Sequence, residues 1–318
     1  MSDIRRVAVV GAGTMGSGIA GLFARAGCLV RLTDTSAELL RRGMGILAAA
    51  QETLIAAGRW ERSAAQAALG RVLPTESLET ACGGADLVVE AVPEDLELKR
   101  RMFARFDELC PPHAVLASNT SGLPITRIAE ATARADRVAG MHFWNPPHIV
   151  PLVEVVRGER TSGETADLLL GVCRRLGKEP VLVRRDIPGH VGNRLQFAVL
   201  REALHLLEEG VASAEDIDRA MTAGPGLRYG ILGPLRTADM GGLDVFHAVS
   251  RYLFADLCAR GEPSALLARL VGEGRLGAKA GGGIYDYAGE EAGARAARRD
   301  RLLMAFLDAR EIERERGG

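Results

Sequence analysis

Apolar residues fall along the chain in two rhythms. Up to about residue 187, short continuous apolar runs alternate with stretches of helical spacing; beyond it the helical spacing is nearly unbroken. Val7-Ala8-Val9-Val10 is the first run, apolar at every position, the pattern of a strand covered on both faces. Comparable runs recur at 29–32, 87–91, 114–118, 137–141, 152–156 and 180–183. Helical stretches separate the earlier ones: 17–26, closing on Gly27, and 36–69, rich in alanine, with a turn at Gly58 and a second helix from about Ser63. Alternating strand and helix predict a doubly wound, mostly parallel sheet, with antiparallel additions late in the domain where the connections shorten. The break at Asp186-Ile187-Pro188-Gly189 then separates an α/β domain, residues 1–187 with an inserted helical pair at about 36–69, from an all-α domain, 188–318. Helices are predicted there at 193–209, 214–222, 243–260 and 265–273, and a last surface helix within 290–318 frays at Gly317-Gly318.

The first strand runs into Gly11-Ala12-Gly13-Thr14-Met15-Gly16 and then the first helix. Gly11 permits a tight turn, Gly13 lets the backbone approach a pyrophosphate, and Gly16 allows close helix packing, while the helix N-terminus attracts the anion. The second strand leads to Asp34, the spacing at which an acid accepts hydrogen bonds from the adenosine ribose. That carboxylate would repel a 2′-phosphate, and no arginine follows before Arg41 and Arg42, so the expected cofactor of this Rossmann domain is NAD rather than NADP.

Composition narrows the picture further. Forty basic against 41 acidic residues leave a formal charge of −1, which gives no footprint for nucleic acid or an anionic membrane. Only Lys99, Lys178 and Lys279 are lysines, so each stands out. Cys28, Cys82, Cys110, Cys173 and Cys258 lack metal-ligand spacing and read as buried thiols in a reducing compartment; no metal is expected. With no cleavable leader and no apolar run long enough for a bilayer, the expected address is the cytoplasm.

His142 directly follows a strand, in Met141-His142-Phe143-Trp144-Asn145-Pro146-Pro147, and Glu154 lies within the next, Leu152-Val153-Glu154-Val155. A turn between them can bring the two together. A carboxylate held against an imidazole fixes its tautomer and raises its basicity, which suits a base taking a hydroxyl proton as hydride leaves the same carbon. An acid inside an apolar strand also demands a partner. His113, His205 and His247 read as ordinary core or loop histidines, and His148 as an entrance or turn residue.

With these motifs the chain resembles the 3-hydroxyacyl-CoA dehydrogenase family, from the glycine turn through Ala117-Ser118-Asn119-Thr120-Ser121, the His142 segment and Gly189-His190-Val191-Gly192-Asn193-Arg194-Leu195 to Gly277-Ala278-Lys279-Ala280-Gly281-Gly282-Gly283-Ile284-Tyr285-Asp286-Tyr287. The resemblance implies that His142 and Glu154 are the catalytic dyad and that Ser118 and Asn193 hydrogen-bond the reacting oxygens. It implies that Ala91, Glu94, Lys99, Asn145 and Lys279 border the NAD, and that the helical domain forms a homodimer. Lys99 could instead simply pair with Asp95 across a helical turn.

Two features depart from the family. Acyl-CoA members carry a lysine in the helical pair where it meets CoA phosphates; none occurs between Asp34 and Gly70, and Arg59 is an imperfect substitute. The stretch 224–234, in place of a more apolar proline turn, resembles the lambda-crystallin or L-gulonate dehydrogenase branch and relatives acting on carnitine or pyridine alcohols. Arg228 within it could clamp a free carboxylate or make a surface ion pair. The first expectation is NAD-dependent oxidation of a short-chain L-3-hydroxyacyl-CoA to its 3-keto product. The alternatives are the same chemistry on a non-CoA hydroxy acid or alcohol, and a crystallin-like protein without catalysis.

Overall fold

Strand and helix alternate into one eight-stranded sheet in a computed structural model that describes residues 4–289 and 292–316. In chain order the elements are β1 (Arg6–Val10), α1 (Thr14–Arg25), β2 (Leu29–Thr33), α2 (Ala37–Ala56), α3 (Arg62–Leu69), β3 (Val72–Thr75), α4 (Leu78–Cys82), β4 (Leu87–Glu90), α5 (Leu96–Leu109), β5 (Val115–Ser118), α6 (Ile125–Ala129), β6 (Val138–Phe143), β7 (Leu152–Val156), α7 (Gly163–Arg175) and β8 (Glu179–Val183). The spatial order is β3-β2-β1-β4-β5-β6-β7-β8. Pairing is parallel except between β6 and β7, which run antiparallel because only a short loop joins them. The central strands β1, β4, β5 and β6 are almost wholly buried, and apolar clusters lie on both of their faces. The order reverses at β1, so the β1 and β4 ends form the crevice where such sheets take ligands.

The helical pair expected at 36–69 forms as α2 and α3, separated by a left-handed Gly58. Strand β3 has no counterpart among the predicted runs: it is four residues long and contains Pro74, which an edge strand tolerates.

The chain divides into two compact units between Arg194 and Leu195, just inside α8 (Gly192–Glu208). The second unit is helical: α9 (Ala214–Ala223), α10 (Pro225–Leu232), α11 (Pro234–Gly241), α12 (Leu243–Asp256), α13 (Ala265–Gly272) and α14 (Ala292–Arg316). The stretch 224–234, for which no helix was predicted, is therefore largely helical. Pro225 and Pro234 each open a helix, where a missing N–H costs nothing. Helix α12 stops at Asp256, short of the expected residue 260. Fraying at Gly317-Gly318 lies outside the described residues. All five cysteines are free thiols; four are buried and Cys258 is only partly so. Among the described residues no helix is long and apolar enough to cross a membrane, and no cluster of three or more His, Cys, Asp or Glu side chains could hold a metal.

Candidate active site

The glycine turn is shaped by its neighbours. Gly11 has φ +105°, and a Cβ there would lie 2.5 Å from the Ala91 carbonyl oxygen, so only glycine fits where the β1 and β4 ends converge. A Cβ on Gly16 would lie 1.8 Å from the Gly11 carbonyl oxygen, which brings α1 directly onto the turn. Gly13, the N-cap of α1, has open space in place of a side chain. That is a cradle fitted to a pyrophosphate, with Thr14 and Met15 opening the helix behind it. Asp34 stands at the end of β2, where Oδ2 accepts from the Ala12 N–H at 2.7 Å and Oδ1 from the Thr35 N–H at 2.7 Å. It thus braces the glycine turn and keeps acceptor capacity for ribose hydroxyls.

His142 and Glu154 face each other across the antiparallel β6–β7 ladder. Both are buried, and the Nδ1 to Oε2 distance is 2.8 Å. Trp144 Nε1–H also donates to Oε2, at 3.3 Å, while the Val191 and Gly192 N–H groups donate to Oε1, each at 2.9 Å. Burial pushes the Glu154 carboxyl up, but the hydrogen bond from His142, those from Gly192 and Val191, and the His142 charge outweigh it and hold the pKa at about 2. An ionised carboxylate only accepts, so Nδ1 carries the proton and Nε2 is left as the basic nitrogen. Sequence reasoning placed the start of α8 to within one residue but did not foresee that the Val191 and Gly192 amides at its entry complete this site, and it missed His190. That buried imidazole lies 5.7 Å from the His142 ring, with Nε2 3.3 Å from the Thr120 carbonyl oxygen. Its left-handed backbone (φ 52°) carries no sequence signature.

Ser118, for which the resemblance implied a hydrogen bond to a reacting oxygen, lies inward of the rim at the end of β5. It is fully buried; its hydroxyl donates to Glu90 Oε2 at 2.6 Å and accepts from the Thr120 N–H at 3.2 Å. Ser121, three residues on, is exposed at the rim. Its carbonyl accepts from Asn193 Nδ2 at 2.7 Å, and its N–H donates to Glu94 Oε1 at 2.9 Å.

Lys99 does not pair with Asp95, which instead caps α5 by accepting from the Leu98 N–H. It turns inward, with Nζ 2.6 Å from Glu90 Oε1, 3.2 Å from the Val92 carbonyl oxygen and 3.4 Å from Glu94 Oε2. Two of its donors are thus spent on Glu90 and Val92, and Glu94 stands beside it as an ion-pair partner. Burial pushes the Glu90 carboxyl up, against the pull of Lys99, Ser118 and the Val92 N–H. Glu90 carries no motif and was not foreseen; only its place at the end of an apolar strand marked it.

Ala91, Glu94 and Asn145 stand at strand ends, Ala91 half-buried and the other two exposed. Arg59 follows the Gly58 turn. Arg228 lies exposed on α10, and Lys279 is exposed in a 3-10 turn, Ala278–Ala280, both in the second unit.

Models of the 3-hydroxyacyl-CoA dehydrogenase NAD-binding domain and C-terminal domain match residues 6–187 and 189–287. A 5-formyl-3-hydroxy-2-methylpyridine 4-carboxylate 5-dehydrogenase of Mesorhizobium japonicum is 37% identical over 311 residues, 97% of this chain and 100% of that one. A probable 3-hydroxybutyryl-CoA dehydrogenase of Bacillus subtilis is 41% identical over 286 residues, 90% of this chain and 98% of the other. The crystal structure of a 5-formyl-3-hydroxy-2-methylpyridine 4-carboxylic acid 5-dehydrogenase, described as an NAD-dependent dismutase, superposes with a TM-score of 0.90 at 37% identity, covering 97% of this chain and 99% of that one.

Proposed function

The chain belongs to the 3-hydroxyacyl-CoA dehydrogenase family and is an NAD-dependent oxidoreductase, and from that footing we propose that it oxidises a hydroxyl-bearing carbon of a small free carboxylate, with His142 as base. Bound NAD supplies the hydride acceptor. Nε2 of His142 takes the hydroxyl proton, and Glu154, ionised and buried, stabilises the imidazolium that forms. The observation that carries this reading is the 2.8 Å dyad contact, which commits Nδ1 and leaves Nε2 free. Ser121 and Asn193, joined at the rim, orient the reacting oxygen, while Asn145, Glu94 and Ala91 border the cofactor.

Two observations support a free acid over a thioester. The Mesorhizobium japonicum relative, whose name gives a pyridine carboxylate, matches almost end to end. The helical pair meanwhile lacks lysine, and Arg62 in it is engaged by Glu52 at 2.6 Å. The acyl-CoA reading keeps support from the Bacillus subtilis relative. NADH formation with 3-hydroxybutyryl-CoA, free 3-hydroxy acids and formyl pyridine carboxylates, whose hydrates present a hydroxyl-bearing carbon, separates the two. Turnover on the thioester alone would sink the free-acid proposal. His142→Ala should lower kcat by about 100-fold or more on the true substrate.

The second unit also supports a homodimer. Helices α9, α10 and α12 bury none of their residues, and Leu235, Met240 and Phe254 are 86%, 72% and 73% exposed.

A further inference from the structure

Lysine is rare here, three among forty basic residues, and Lys178 is one of two that are buried. Its ammonium donates to the Pro147 carbonyl at 2.5 Å and to the Val150 carbonyl at 2.9 Å. Both acceptors lie in the 144–151 loop that joins β6 to β7 and carries Asn145. The loop's own turn spends the Pro146 carbonyl, which accepts from the Ile149 and Val150 N–H groups. The Pro147 and Val150 carbonyls fall to the lysine.

The lysine's own position is dictated by the end of α7. Gly177 is left-handed (φ 72°), its N–H donates to the Arg174 carbonyl, and the Lys178 N–H donates to the Cys173 carbonyl, a Schellman closure. The next N–H, of Glu179, bonds the Pro151 carbonyl and starts β8 beside the loop's end. The loop also rests on α1: a Cβ on Gly18 would lie 2.4 Å from Pro147 Cγ. Burial, then the charge of Arg25, lowers the Lys178 pKa to about 8, so this cation is held by carbonyl dipoles at a cost to the fold. Two converging carbonyls suit a compact ammonium and not the larger planar guanidinium that the chain uses elsewhere.

We infer that Lys178 is a positioning residue for the cofactor: it fastens the 144–151 loop onto the dinucleotide-binding helix and thereby fixes Asn145 at the rim. The inference rests on the NAD-bordering role proposed for Asn145. It is tested on the full-length enzyme by titrating NADH fluorescence and recording kcat against pH. Lys178→Met should raise the NADH Kd about tenfold or more, and Lys178→Arg should not restore it. The acidic limb of the kcat profile should stay in place, because the strand ladder and not the loop holds His142 against Glu154. Gly18→Ala drives into Pro147 from α1 and should weaken NADH binding likewise; it decides the matter should Lys178→Met fail to fold. A folded Lys178→Met enzyme that binds NADH within about twofold of wild type overturns the inference, as does a displaced acidic limb with an unchanged Kd. Asn145→Ala separates the premise: if it leaves the Kd alone while Lys178→Met raises it, the Asn145 role falls and the fastening stands.

Discussion

Glu154 gathers four hydrogen bonds in a place where an unpaired carboxylate could not stay. Its folded pKa of about 2 lies below the roughly 4.3 of an unfolded glutamate. The stabilisation is therefore fully present above about pH 4.3 and is lost as pH falls through 2, a shift worth on the order of 3 kcal/mol. Glu154→Gln should be less stable than wild type at pH 7, and urea melts toward pH 3 should show that gap narrowing. Ser118 and Ser121 offer a contrast at the same scale. Ser118→Ala strands Glu90 Oε2 in the interior and should cost about 1–3 kcal/mol. Ser121→Ala should leave stability within about 0.5 kcal/mol and lower kcat/KM instead. If Ser118→Ala melts like wild type while it alone loses activity, the reassignment from Ser118 to Ser121 is wrong.

The glycine turn shows at the scale of elements how a local signal and a tertiary contact coincide. Helix α1 can approach β1 only because Gly16 lacks a Cβ. Gly16→Ala should destabilise the first unit by about 1–3 kcal/mol through overpacking and weaken NADH binding, both readable from melting curves with and without NADH. The strands at 7–10, 29–32 and 152–156 were legible as apolar runs, and the α2–α3 pair as periodicity. Strand β3 was not, since four residues around a proline carry no rhythm. Helices α10 and α11 were masked by the glycines and prolines that begin and end them.

For the whole molecule, the second unit exposes more large apolar side chains than a lone soluble chain ordinarily carries. A second copy of this chain is the proposed cover, and sedimentation should give a dimer that Phe254→Glu converts to monomer at micromolar concentration. A wild-type monomer with full activity would remove the dimer from the account.

The sequence by itself determined the alternation of strand and helix, the glycine turn with Asp34, and the candidacy of His142 and Glu154. Each of these is written in local spacing, which short-range sterics and periodicity convert directly into structure. Only the tertiary structure decided that Ser118 is buried while Ser121 is exposed, that Lys99 turns to Glu90, that the Val191 and Gly192 amides complete the Glu154 site, and that Lys178 bonds the 144–151 loop. Those outcomes depend on side chains far apart in sequence competing for the same few donors and acceptors. Such a competition is resolved by burial, and burial is set by the packed sheet, not by any single segment.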